Sequence, residues 1–230
     1  MKTALITGAT SGIGKATAEL LAKNNWRLII CGRNVEVLSQ MKADLSVTTE
    51  IFTLNFDIRE FSQVEKAINS IPENWKKIDV LINNAGNAHG MDSLENGNID
   101  DWDAMMDGNV KGILYISKLL IPGMKAQKSG HIVNVSSTAA RQTYANGVVY
   151  CASKKAVDII SEGMRLELTE FGIKVTNLQP GLTETDFSKV RFKGDEERAK
   201  TVYQGFQALK PTDIADAISY CIHAPKHVCI

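Results

Sequence analysis

The segment Tyr150-Cys151-Ala152-Ser153-Lys154 sets a phenol and an ammonium four residues apart. On a helix, positions i and i+4 share one face. A phenol ordinarily titrates near about 10, too high to trade protons readily at neutral pH. A neighbouring ammonium favours the phenolate and lowers that value, which makes tyrosine a usable general acid or base. A pair of this kind is common, so its meaning depends on its surroundings.

A second group of residues suits a phosphate. Thr7-Gly8-Ala9-Thr10-Ser11-Gly12-Ile13-Gly14 follows an apolar run and leads into the helical Lys15-Ala16-Thr17-Ala18-Glu19-Leu20-Leu21. Gly8, Gly12 and Gly14 let the backbone turn tightly and approach a pyrophosphate, with Thr10, Ser11 and Ile13 in the same turn. The first N–H groups of the helix stabilise the anion's charge. The spacing is GxxxGxG rather than the GxGxxG of the general dinucleotide fingerprint. Its weight comes from the strand–turn–helix placement.

The next apolar run ends Ile30-Cys31-Gly32-Arg33-Asn34, with no acid in reach. A carboxylate at that place bonds the ribose 2′-hydroxyl of NAD, whereas an arginine suits the 2′-phosphate of NADP. Arg33 can form a bidentate pair with a phosphate that a carboxylate would repel. Arg33, with Asn34 beside it, therefore points to NADP(H).

A third cluster leads nowhere. Cys221, His223, His227 and Cys229 are all possible zinc ligands, but Pro225 breaks any helix between the histidines. The spacing fits no common zinc module, and no metal is expected.

These groups need a scaffold, and the hydropathy pattern supplies one. Strands are predicted at residues 3–7, 27–31, 50–56, 80–83, 131–136 and 174–179. Several are near-continuous apolar runs, such as Leu28-Ile29-Ile30, as in strands buried on both faces of a parallel sheet. Between them, Phe61, Val64, Ile68 and Ile71 fall on one helical face, as do Ile214, Ile218, Cys221 and Ile222 near the end. Strand–helix alternation predicts an α/β fold: a Rossmann-type, doubly wound parallel sheet with right-handed crossovers. The 230 residues show no linker, repeat or low-complexity tract, so a single domain spanning 1–230 is expected.

Composition excludes other classes. Apolar residues make up 44% and charged residues 23%, ordinary globular usage. Twenty-six Lys+Arg balance twenty-six Asp+Glu, which argues against a nucleic-acid binder. No run approaches the roughly 18 apolar residues of a membrane helix. The sequence enters its first strand at Thr3, which leaves no room for a signal peptide. A cytoplasmic protein with reduced cysteines is expected.

Taken together, residues 7–14, Asn83-Asn84-Ala85-Gly86, Asn109, Ser136-Ser137, Tyr150 with Lys154, and Pro180-Gly181 resemble the ordered motifs of the short-chain dehydrogenase/reductase family. The match runs in order over nearly the whole chain. The resemblance implies an enzyme that interconverts an alcohol and a carbonyl, with these roles. Tyr150 is the proton donor or acceptor, and Lys154 lowers its pKa and holds the nicotinamide ribose. Ser137 hydrogen-bonds the reacting oxygen, and Asn109 anchors a water on a proton path from Lys154. Asn84, Ala85 and Gly86 line the adenosine ribose, and Asp57 and Ile58 edge the adenine. Pro180, Gly181, Thr183 and Thr185 wrap the nicotinamide.

Reduction builds negative charge on oxygen, so donors must be aimed there and a proton delivered. Ser137 and Tyr150 supply both, while the cofactor carries the hydride.

Within that family the chain most resembles the NADP-dependent 3-hydroxy acid dehydrogenases, which act on serine, allo-threonine and 3-hydroxypropionate-type substrates. Segments 87–91, 101–106, 187–195 and 209–214 carry that likeness, and 187–195 lies in the family's mobile substrate loop. A carboxylate in the substrate demands a cation. Arg191 is the candidate, with Lys189 and Lys193 behind it, and Met91 and Phe187 as further substrate contacts. The competing reading makes all three basic residues a solvated face opposite Asp195, Glu196 and Glu197. Two other functions fit the same motifs: a reductase of another carbonyl, such as a 3-oxoacyl thioester, or a non-catalytic NADPH sensor.

Two departures from the family stand out. Gly108 precedes Asn109 where relatives often carry a larger residue, and it should loosen that helix. Relatives run on through a final strand of which residues 228–230 would be only the beginning. That strand commonly serves the subunit interface, and a homo-oligomer, dimer or tetramer, is expected.

Overall fold

Apolar runs without polar alternation are stable as strands only where both faces of the sheet are covered. The computed structural model describes residues 1–230 and covers both faces with helices. In chain order the first half comprises β1 (Thr3–Ile6), α1 (Gly12–Lys23), β2 (Arg27–Gly32), α2 (Val35–Leu45), β3 (Ile51–Asn55), α3 (Phe61–Asn69) and β4 (Val80–Asn83). The second half comprises α4 (Ile99–Met106), α5 (Gly112–Gln127), β5 (Gly130–Val135), α6 (Val148–Leu168), β6 (Ile173–Leu178), α7 (Phe187–Arg191), α8 (Glu196–Thr201) and α9 (Pro211–His223). The predicted strands are met to within one or two residues at each end.

The sheet is parallel throughout, in the order β3-β2-β1-β4-β5-β6. Alternate strand residues enter opposite cores. Leu5, Ile29, Leu81, Ile132 and Val175 pack with Val64, Ile68, Ile116 and Val157 of α3, α5 and α6. Ile6, Leu28, Ile30, Ile82 and Val133 pack with Leu21, Leu38, Ile214 and Ile218 of α1, α2 and α9. One sheet with a core on each side forms a single domain. No helix is long and apolar enough to cross a membrane.

This strand order reverses direction between β1 and β4, which opens a crevice beyond their carboxyl ends. Toward that edge the strands turn polar. Asn83, Asn134 and Asn177 share one register row. The Asn83 amide donates to Asn134 Oδ1 (2.8 Å), whose own amide donates to Ser161 on α6 (2.8 Å).

The free edge of β6 receives the tail. Lys174 Nζ donates to the Ala224 and Val228 carbonyls, and Thr176 Oγ1 to that of Ile230 (2.8 Å). Residues 228–230 lie against β6 without joining the sheet. Thr176 in turn accepts from the buried His131 Nε2 (2.8 Å), whose Nδ1 has no partner. Burial, with the Lys174 charge adding, pulls the His131 ring down to about 4.

Candidate active site

The crevice is a cavity of about 680 Å³, and its two ends differ in chemistry. At the first end β1 runs into the glycine turn. Gly8 takes a left-handed φ of +63°, and a side chain on Gly14 would lie 2.3 Å from the Gly8 carbonyl. Asn84 fastens this turn: its amide donates to the carbonyls of Thr7 (2.9 Å) and Gly8 (3.1 Å). Thr7 Oγ1 answers by accepting from the Asn84 and Ala85 N–H groups (3.1 and 3.0 Å). The Asn84 side chain thus holds the turn, and Asn84, Ala85 and Gly86 all line the cavity. At the start of α1, Ser11 makes no side-chain cap and no acid occupies the first turn, so the leading N–H groups face the cavity undiluted.

Beyond the turn lie three charged residues. Arg33 is two-thirds exposed, with its guanidinium 3.8 Å from Asp57. Asp57 is gripped by Arg59, which donates from Nε (3.0 Å) and Nη2 (2.6 Å). Partial burial opposes ionisation of Asp57, but the Arg59 hydrogen bonds and the charges of Arg59 and Arg33 outweigh it and hold the carboxyl below its usual range. One carboxylate therefore faces two guanidiniums, a local cationic surplus on a chain of zero net charge. Ile58 lines the cavity next to them. Asn34 does not line it: its side chain accepts from Val37 N–H (3.0 Å) and caps α2. Arg59 was not singled out from sequence, although it stands two residues after Asp57.

At the second end α6 presents Tyr150 and Lys154 on one face, both buried. The Lys154 ammonium donates to the Val135 carbonyl (3.0 Å) and stands 6.0 Å from the Tyr150 ring centroid. The expected lowering of the phenol by Lys154 is not what this arrangement produces. Burial pushes Tyr150 up to about 12, against the opposing pull of the Ser137 hydroxyl and the Arg191 charge. Burial likewise pulls Lys154 down to about 8, and the Asp158 charge opposes that fall. The two groups sit on the same face, but the lysine is aimed at backbone.

Ser137 caps the short turn Thr138–Ala140 by accepting from Ala139 N–H (3.1 Å), with its hydroxyl beside the phenol. Asn109 lies in Asp107–Lys111, a π-helical turn between α4 and α5. Gly108 falls inside this wider turn, a feature frequent at functional sites. The Asn109 side chain accepts from Asn87 N–H (2.7 Å) and donates to the Asn87 carbonyl (2.8 Å) and Ser153 Oγ (3.0 Å). Asn87 and Ser153 were not among the sequence candidates.

A lid closes this end. Residues 182–209 leave and return at one point, where Glu184 N–H donates to the Leu209 carbonyl (2.8 Å) and Leu209 N–H to that of Leu182 (3.0 Å). Pro180, Gly181, Thr183 and Thr185 line the cavity at its root. Phe187 meets the Tyr150 ring edge-on at 5.5 Å, and Met91 lines the wall.

The three basic lid residues part company. Lys189 pairs with Asp186 and Glu196, and Lys193 with Asp101, as exposed side chains. Arg191 turns inward. Its Nε donates to the Gly90 carbonyl (3.2 Å) and Nη1 to the Tyr144 hydroxyl (2.8 Å), with the guanidinium 5.7 Å from the Tyr150 ring. A solvated face describes the lysines and fails for the arginine. Tyr144, 47 residues away, was not legible as its partner.

A phosphate-reading end and a proton-handling end joined by one crevice define a dehydrogenase of the dinucleotide-binding kind. The short chain dehydrogenase description matches residues 2–196, and the chain belongs to that family. It is 39% identical over 225 residues to the NADP-dependent 3-hydroxy acid dehydrogenase of Salmonella typhi, covering 97% of this chain and 90% of the relative. Serine 3-dehydrogenase of Agrobacterium fabrum is 39% identical over 226 residues, 98% of this chain and 90% of the relative. A closed form of serine dehydrogenase complexed with NADP+ superposes with a TM-score of 0.95 at 38% identity, covering 99% of this chain and 92% of the other.

Proposed function

We propose that the chain is an NADP(H)-dependent oxidoreductase that interconverts an alcohol and a carbonyl on a small 3-hydroxy acid such as serine, allo-threonine or 3-hydroxypropionate. The inward Arg191 carries this reading. A guanidinium turned away from solvent and braced by Gly90 and Tyr144, beside the phenol, suits a substrate carboxylate two carbons from the reacting carbon.

The cavity fits the cofactor. The uncapped start of α1 suits a pyrophosphate, and Arg33 with Arg59 suits a 2′-phosphate. Gly8, Thr10, Ser11, Gly12 and Ile13 would hold the phosphates, and Asp57, Ile58, Ala85 and Gly86 the adenosine. Lys154, Pro180, Gly181, Thr183 and Thr185 would hold the nicotinamide half. When bound, the nicotinamide supplies the hydride chemistry.

The protein's own part is proton handling and orientation. Tyr150, held protonated by burial, gives its proton to the carbonyl oxygen and recovers it in the reverse direction. Ser137 donates to the same oxygen. Lys154, which donates to the Val135 carbonyl, would hold the nicotinamide ribose, and Asn109 would anchor a water on a proton path from Lys154. We place the protein in the cytoplasm, with Cys31, Cys151 and Cys221 as buried thiols. It works as a homo-oligomer, and the exposed Leu114, Ile159 and Leu166 on α5 and α6 support that reading.

The test is NADP+ reduction by the purified protein with L-serine, L-allo-threonine, 3-hydroxypropionate and neutral secondary alcohols, with NAD+ as control. The expected result is turnover of the hydroxy acids with NADP+ preferred. Turnover of neutral alcohols alone, or equal rates with NAD+, contradicts the proposal.

A further inference from the structure

Asp158 lies on α6 four residues after Lys154 and eight after Tyr150, on the same side of the helix. Its side chain is only 13% exposed. Three neutral donors converge on its carboxylate. Ser136 Oγ (2.8 Å) and Asn177 Nδ2 (2.7 Å) reach Oδ1, and Gln179 Nε2 (2.8 Å) reaches Oδ2. Each donor comes from a strand end that leads directly into the site. Ser136 precedes Ser137, and Gln179 precedes Pro180 and Gly181. The Ser136 hydroxyl also lies 3.1 Å from the Lys154 carbonyl, next to the bond from Lys154 Nζ to Val135.

The three hydrogen bonds favour the ionised carboxylate, and a nearby positive charge would offset the remaining cost of its burial. The exposed Lys155, 3.9 Å away, is a poor partner across high-dielectric solvent. The buried cation one helical turn away is Lys154. The other elements packed around this pair contribute uncharged groups: Val135 and Ser136 from β5, Asn177 and Gln179 from β6, and Asn109 from the π turn. Arg191, on the lid, faces Tyr150 instead.

We propose that Asp158 is a positioning residue, a buried counter-charge for Lys154 that also ties the ends of β5 and β6 to α6. It touches neither substrate nor cofactor and acts through Lys154 and Ser137. Burial alone draws the Lys154 ammonium toward its neutral form, and a fixed carboxylate opposes that loss. The inference rests on the reading of Tyr150 and Lys154 given above, so its test uses a signal that exists without turnover.

The full chain carrying Asp158→Asn keeps the shape of the site, since Gln179 can rotate its amide to present oxygen. Lys154 titrates visibly by the 13Cε resonance of 13C-lysine-labelled protein, assigned through Lys154→Arg. Removing the charge should lower the Lys154 midpoint by about one pH unit, a tenfold loss of proton affinity. The alkaline limb of the carbonyl-reduction profile should move down with it. Ser136→Ala removes one bond and no charge, so it should slow turnover and leave the midpoint in place. Asp158→Ser, smaller and still an acceptor, carries the same expectation as Asp158→Asn if the latter does not fold. A Lys154 midpoint unchanged in a folded, charge-free variant overturns the proposal, as does an equal shift in Ser136→Ala. Titration as expected without any turnover would sustain the counter-charge and count against the catalytic reading alone.

Discussion

Two of the guanidiniums that line the cavity, one at each end, are held in opposite ways. Arg33, at the glycine-turn end, is two-thirds exposed and loosely paired with Asp57 at 3.8 Å. Arg191, at the lid end, is braced by a carbonyl and a hydroxyl and faces two tyrosine rings. An exposed arginine can follow a phosphate that carries most of its charge into solvent, and salt screens the attraction. A braced arginine has lost its rotamer freedom before substrate arrives, so it selects by position. The same contrast runs through the neutral groups. At the first end Asn84 and Asn34 are spent on backbone, whereas the second end buries groups that titrate.

The largest effect should come from that second end. Tyr150→Phe keeps the ring packed against Phe187 and removes the proton. It should lower kcat by about 10³-fold, with NADPH affinity, read by fluorescence titration, within a factor of about 3. Comparable losses of both would mean that the two ends are not separable.

Smaller and confined to the first end is the effect of Arg33→Ala. The preference for NADPH over NADH should fall by about 10- to 100-fold, the worth of a charged hydrogen bond, with little change in kcat. Arg59 and Asp57 keep each other in place, and the loss should shrink as ionic strength rises. An undiminished preference would shift cofactor reading wholly to Arg59.

A third effect is on stability and belongs to neither end. His131 is held neutral, its folded value near about 4 lying below the ordinary 6.5. The unfolded chain therefore binds the proton first as pH falls. His131's contribution is intact above about pH 6.5 and is lost on descending toward about pH 4, by at most about 3 kcal/mol. His131→Val should flatten the slope of chemical-denaturation stability over that window. An unchanged slope would move the acid sensitivity elsewhere.

Much of the scaffold was legible because its signal is local. Leu28-Ile29-Ile30 and Ile132-Val133 are apolar on both faces, and only a covered sheet satisfies them. The glycine turn and Tyr150 with Lys154 were legible because four-residue spacing on a helix is a fixed geometry. What escaped depends on partners far away in sequence. Arg59 is a basic residue in a loop until Asp57 and Arg33 meet it at the ends of β3 and β2. Tyr144 and Arg191 meet only when the lid folds over. Spacing placed Lys154 beside Tyr150 but could not show its ammonium aimed at Val135, since β5 decides that. Asp158 gains its partners only where the ends of β5 and β6 bring Ser136, Asn177 and Gln179 to it.

On the proposed function the braced arginine reads a substrate carboxylate while the exposed one reads a cofactor phosphate. The most direct test is kcat/KM of Arg191→Ala with NADP+ on 3-hydroxypropionate and on a neutral secondary alcohol. A fall of about 100-fold is expected for the acid, carried by KM, and about twofold or less for the neutral alcohol. Equal falls for the two would contradict it and leave Arg191 a brace for the lid.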